Sequence, residues 1–160
     1  MSVSGKKTRA AHPLEGYLGY QLRRAAAFMQ TDMSVRLSEL DLTMVEMSIL
    51  LVVEANPQIT QSQICRMLAI KRANMAPLAG GLQARGLLDR QPVDGRSNGL
   101  ILTPAGAGMT DACRVRIEEN EALLLRNISS RARDPLLASL GRIWAREQNP
   151  DNPEKEADPI

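Results

Sequence analysis

The chain has 160 residues, of which 44% are hydrophobic, 24% charged and 2% aromatic, and its formal net charge is +2. That is globular composition at a length suited to one compact domain per subunit, with a helix-favouring core of Leu, Ile, Val, Ala and Met. No apolar run of about 18 residues exists to span a membrane, and the start lacks the apolar stretch of a signal peptide, so a cytoplasmic protein is expected.

Leu14, Leu18, Leu22, Ala25, Met29, Met33, Leu37 and Leu40 recur at three- and four-residue steps, which predicts one long helix from about Pro13 to Leu40. Asp41-Leu42 breaks it. Thr43 with Glu46 makes a capping box that opens a second helix, Met44 to about Ala55, and Asn56-Pro57 ends that one. Thr60 with Gln63 is a second capping box, opening a short helix from Gln61 to about Leu68 that turns Ile64 and Leu68 inward. After a tight turn at Ala69-Ile70, a helix from Lys71 to Arg85 sets Met75, Leu78, Ala79 and Leu82 on one face, with Gly86 at the left-handed position past its end. Two short helices joined by a tight turn form the helix-turn-helix pattern.

Leu87 to Gln91 and Gly99 to Thr103 then read as two strands, with Asp94-Gly95 and Asn98-Gly99 as turn signals between them, which makes a β-hairpin, or wing. Thr103-Pro104 supplies an N-cap and a first-turn proline for a long helix to about Ser130. Asp134-Pro135 repeats that signature for a last helix carrying Leu136, Leu137, Leu140, Ile143 and Trp144. Beyond Glu147 the Pro, Asn, Asp and Glu residues predict a disordered acidic tail. The fold class is therefore mainly α with a small β-wing.

Positive charge gathers around the helix-turn-helix. Residues 61–96 carry six cations (Arg66, Lys71, Arg72, Arg85, Arg90 and Arg96) against Asp89 and Asp94, and residues 1–12 add Lys6, Lys7 and Arg9 without an acid. Residues 147–160 sum to −4. Cationic charge concentrated on one motif points to a polyanion partner. An enzyme fails on inventory, because the only histidine, His12, lies in the basic N-terminal segment and no P-loop, complete G-x-G-x-x-G or H-E-x-x-H occurs. Cys65 and Cys113 form no C-x-x-C, so no metal, cofactor or disulfide is expected and both read as buried thiols.

Leu18-Gly19-Tyr20-x-Leu22-Arg23-Arg24, Leu42-Thr43, Leu82-x-x-Arg85-Gly86-Leu87 and Asp94-x-Arg96-x-x-x-Leu100-x-Leu102-Thr103-x-x-Gly106 join the element order in one pattern. Over residues 14 to 146 it resembles the MarR family of bacterial winged helix-turn-helix transcriptional regulators. The resemblance implies a six-helix homodimer on a pseudo-palindromic operator in double-stranded DNA. Residues 13–42 and 104–146 would be dimerisation helices, 43–103 the winged DNA-binding region, 1–12 a flexible basic tail and 147–160 the acidic one.

On this reading the helix from Lys71 enters the major groove and offers Lys71, Arg72, Asn74 and Pro77. Arg72 suits guanine O6 and N7, and Asn74 suits adenine N6 and N7. Gln61 and Ser62, at a helix N-terminus, suit a phosphate, and Arg85 and Arg90 are expected on the DNA backbone. In the family the wing arginine, here Arg96, reaches into the minor groove and Asp94 orients it, with Ser97 beside them. Relatives often carry polar or basic residues where this chain has Pro77 and Gly81, so a bent or tightly wound helix with fewer base contacts is expected.

Many relatives are repressors released by a small phenolic or other aromatic acid, or its thioester. The resemblance makes Arg23, Arg24 and Arg36 candidates to meet an anion and Met29, Met33, Met44 and Met47 candidates to line an apolar pocket. A methionine stripe at helical spacing also reads as plain core. Two alternatives stay open. One is a redox-responsive regulator acting through Cys65 or Cys113, although neither lies near the start of the first helix. The other is a winged-helix protein-binding module without an effector.

Overall fold

A computed structural model describes residues 12–94 and 97–145, apart from the side chains of Val93, Asp94, Ser97 and Trp144. The elements are α1 (Leu18–Ser38), α2 (Met44–Ala55), β1 (Ile59–Thr60), α3 (Gln61–Leu68), α4 (Arg72–Ala84), β2 (Leu88–Asp94), β3 (Ser97–Leu102), α5 (Pro104–Leu125) and α6 (Ser130–Ala145). The basic N-terminal segment up to residue 11 and the acidic tail lie outside the described residues.

The local signals for α2, α3 and α4 act as their chemistry requires. The Thr43 amide donates to Glu46 Oε2 at 2.8 Å while the Glu46 amide donates to Thr43 Oγ1 at 3.2 Å. Thr60 and Gln63 exchange the same pair of bonds at 2.9 and 3.4 Å. Each box satisfies two amides that a helix start leaves without partners. At the end of α4, Gly86 takes φ 70, the Gly86 amide donates to the Gln83 carbonyl at 2.8 Å and the Leu87 amide to the Leu82 carbonyl at 3.0 Å. That is the Schellman stop that a left-handed glycine permits.

Several boundaries differ from the sequence reading, among them the end of β2, which runs on to Asp94 rather than stopping at Gln91. Helix α1 starts at Leu18, because Pro13–Gly16 forms a turn in which the Leu14 amide donates to His12 Nδ1 at 3.3 Å and the Tyr17 amide to the Leu14 carbonyl. It stops at Ser38 rather than Leu40, where Asp41 at φ 53 lets the Leu42 amide reach the Leu37 carbonyl at 3.0 Å and buries Leu42 with Leu37. Strand β3 starts at Ser97, so Asn98-Gly99 lies within it and is not a turn. Gly99 pairs with Thr60, and a Cβ there would collide with the Gln58 backbone, so the glycine answers a close chain crossing. Helix α5 ends at Leu125, short of Ser130, where the Asn127 and Ile128 amides turn back to the Leu124 and Leu125 carbonyls. Helix α6 already begins at Ser130 and carries Pro135 inside it; the amide that Pro135 lacks costs only one bond, to the exposed Arg131.

The sheet is antiparallel in the order β1-β3-β2, with Ile59 opposite Leu100 and Leu88 opposite Leu102. Edge strand β2 tolerates Pro92 and bulges between Pro92 and Asp94. Packing divides the chain within α5, between Arg116 and Ile117. The first unit holds a core of Met33 and Leu37 from α1, Ile49, Leu50 and Val53 from α2, Ile64, Met75, Leu82, Leu100 and Cys113. Ion pairs Arg116–Glu39 at 2.8 Å and Arg114–Glu54 fasten the middle of α5 to the ends of α1 and α2. Leu18, Phe28 and Val35 of α1 stay exposed. So do Leu125, Leu136, Leu137 and Ile143 in the second unit.

Candidate nucleic-acid interface

Burial of Met75, Ala79 and Leu82 fixes the rotation of α4. The helical period then leaves Arg72, Ala73, Asn74, Ala76, Pro77, Gly81 and Ala84 exposed. Lys71 is the N-cap and Arg72 the first helical residue, with no acid in the first turn. Two cations at the positive end of a helix dipole oppose the helix until an anion arrives. Among the described residues the side chains of Lys71, Arg72 and Asn74 form no hydrogen bond or ion pair. Pro77 withdraws an amide from the carbonyl of exposed Ala73, yet α4 runs unbroken across it.

On α3, Ser62 is exposed and Gln61 half-buried. The capping box serves the Gln63 amide, so the Gln61 and Ser62 amides have no acceptor within the helix. The turn between α3 and α4 closes through Ala69 at φ 51 and an Ile70 amide bond to the Cys65 carbonyl at 3.0 Å. Arg90 stands exposed on β2, its Nε donating to Gln83 Oε1 of α4 at 3.0 Å. Asp94 and Ser97 pair as backbone neighbours across β2 and β3, while their side chains and Arg96 fall outside the described residues.

Arg85 is placed elsewhere than the other candidates. Its Nη2 donates to the Leu40 carbonyl at 3.3 Å, with Glu46 Oε1 at 3.8 Å and Asp41 Oδ2 at 4.0 Å completing an acceptor cluster from its own chain. It ties the end of α4 to the elbow between α1 and α2. Glu46 at a helix start was the visible signal for this, but its partner 39 positions away was not. Thr103 caps α5 as expected, its Oγ1 accepting from the Gly106 amide at 3.0 Å, but its donation to the Gly86 carbonyl at 2.6 Å, which pins the wing's exit to the end of α4, was missed.

The effector candidates have different surroundings. Arg23 lies exposed over the Tyr20 ring at 5.3 Å, and Arg24 is exposed. Arg36 donates Nε to Asp32 at 2.6 Å. Met33 and Met47 are buried core residues and Met29 is half-buried. A cavity of about 120 Å³ opens between α2 and the α3–α4 turn, lined by the candidate Met44 together with Val45, Ser48, Leu68 and Ile70. Ser48 Oγ is spent on the Met44 carbonyl at 2.8 Å, which leaves the cavity largely apolar. Both cysteines are buried, and burial pushes the Cys113 thiol up. No group of three or more metal-ligating side chains occurs among the described residues, and no helix there is long and apolar enough to cross a membrane.

A short helix, a left-handed turn, a second helix with a cationic start and a three-stranded antiparallel sheet define a winged helix-turn-helix protein. A family model described as the MarR family matches residues 40–97. The solved structure of a transcriptional repressor, CouR, bound to a 23-mer DNA duplex is similar at 32% identity, covering 79% of this chain and 91% of its own, with TM-score 0.73. CouR from Rhodococcus jostii RHA1 bound to p-coumaroyl-CoA is similar at 19% identity, covering 83% of this chain and 95% of its own, with TM-score 0.73. A MarR family protein of Mycobacterium tuberculosis in complex with salicylic acid is similar at 23% identity, covering 79% and 95%, with TM-score 0.64. No curated protein sequence matches the chain significantly. The chain belongs to the MarR family of transcriptional regulators.

Proposed function

We propose that this regulator is a cytoplasmic homodimeric repressor that binds a pseudo-palindromic duplex and is released by a small aromatic or phenolic acid or its thioester. The observation that carries the DNA-binding part is the outward face of α4, where Lys71, Arg72 and Asn74 project without partners among the described residues. Arg72 and Asn74 read base edges, Lys71 and Arg90 meet phosphates, and the Gln61 and Ser62 amides cap another phosphate. The small residues Ala73, Pro77, Gly81 and Ala84 let the helix approach closely, so shape carries part of the recognition. Arg96, with Asp94 and Ser97, completes the contact from the wing.

Dimerisation through α1 (within residues 13–42) and through residues 104–146 is supported by the apolar side chains that each unit leaves exposed, Phe28 and Val35 on α1 and Leu136, Leu137 and Ile143 on α6. Effector release is supported by the cavity beside Ile70. Its volume of about 120 Å³ is comparable with the roughly 150 Å³ of an apolar cavity that holds benzene. Related folds hold salicylic acid or p-coumaroyl-CoA. A ring seated there would press on the turn that sets the position of Arg72.

Selection of bound duplexes from a random pool, followed by release assays with hydroxybenzoates and hydroxycinnamoyl thioesters, tests the proposal. A pseudo-palindrome whose complex weakens steeply with salt and dissociates with one of these compounds is the expected result. Failure to enrich any duplex contradicts it.

A further inference from the structure

Arg90 and Gln83 stand where the helix meets the wing. Arg90 lies opposite Leu100 in the sheet, and Leu88 and Leu100 are both buried, so strand alternation puts Arg90 on the core side of β2, next to α4. Its side chain leaves the core at the seam between α4 and the hairpin. There Gln83 Oε1 accepts its Nε at 3.0 Å. The Gln83 backbone is fixed in the helix stop, where its main-chain carbonyl accepts the Gly86 amide at 2.8 Å. The adjacent Asp89 points to the opposite face of β2, and its carboxylate accepts from the Arg90 backbone amide at 2.7 Å.

Resting on the DNA-binding reading, we infer that Gln83 is a positioning residue for DNA binding. It holds the Arg90 guanidinium by Nε so that the two Nη groups meet the phosphate strand running between the groove under α4 and the groove under the wing. A helix in one groove and a hairpin in the next straddle a single sugar-phosphate strand, and the seam is the part of the protein that faces it. An arginine free in solution loses rotamer freedom when it grips a phosphate; one already pinned by Nε has lost part of that freedom on folding. Arg85, two residues along from Gln83, has no such role, since its guanidinium is turned to Leu40, Asp41 and Glu46.

The test is a double-mutant cycle on a mixed-sequence duplex, read as affinity against salt with the full chain. Arg90→Ala should weaken binding and lower the salt slope by about 0.9 per subunit. Gln83→Met, which keeps the length of the side chain but not its acceptor, should weaken binding roughly two- to tenfold while the slope stays at the wild-type value. Added to Arg90→Ala, Gln83→Met should cost nothing more. Melting temperatures establish that each variant is folded, and Gln83→Ala is the second variant if Gln83→Met is not. Additive losses, or an unchanged affinity for Gln83→Met, would overturn the inference. A wild-type chain that binds no duplex would instead overturn the DNA-binding reading beneath it.

Discussion

Two arginines of the same motif region do different work, and only three-dimensional placement separates them. Arg85 spends its charge on a carbonyl and two carboxylates around the α1–α2 elbow, whereas Arg90 presents its guanidinium to solvent. Arg85→Ala should therefore lower stability by about 0.5–1.5 kcal/mol, discounted for partial exposure, and leave the salt slope of DNA binding unchanged. Denaturant melts and binding titrations on one preparation check both halves. Cys113 yields a prediction of the opposite kind. Burial raises its pKa, so the folded state favours the neutral thiol. The stability this carries is fully present below the ordinary thiol pKa of about 8.5 and is lost as pH rises through the elevated folded value. Denaturant midpoints of wild type and Cys113→Ala should run parallel from about pH 6 to 8, then diverge with wild type falling faster.

At the scale of elements, α4 carries an internal weakness that leaves its face open. Gly81 is exposed, and a Cβ added there meets nothing within 4 Å. Gly81→Ala should raise stability by about 0.5–1 kcal/mol, seen as a higher melting temperature of the free protein. The starts of α2 and α3 were legible because a capping box is a four-residue signal whose partners are all local. Gly86 was legible for the same reason. Gly99 was misread because a turn glycine and a glycine under a crossing strand look alike until the chain at Gln58 is in place. Strand β1, two residues long, is too short to show a period. The methionines divide by register: Met47 packs inward while Met44, three residues earlier, lines the cavity.

At the scale of the molecule, the first unit contains the buried core and both units expose apolar side chains on long helices. Leu137, 52% exposed on α6, should be a partner contact in the proposed dimer. Leu137→Glu should give a monomer by sedimentation and, with the two heads uncoupled, a large loss of affinity for a two-half-site duplex but little for a single half-site. Base reading by α4 through Arg72 is tested most directly by comparing wild type and Arg72→Ala on the selected duplex and on duplexes changed one base pair at a time. Discrimination of about 1–3 kcal/mol should vanish at one position per half-site and persist at the others. An equal loss of affinity on every duplex would contradict base reading by Arg72 and reduce it to a phosphate contact.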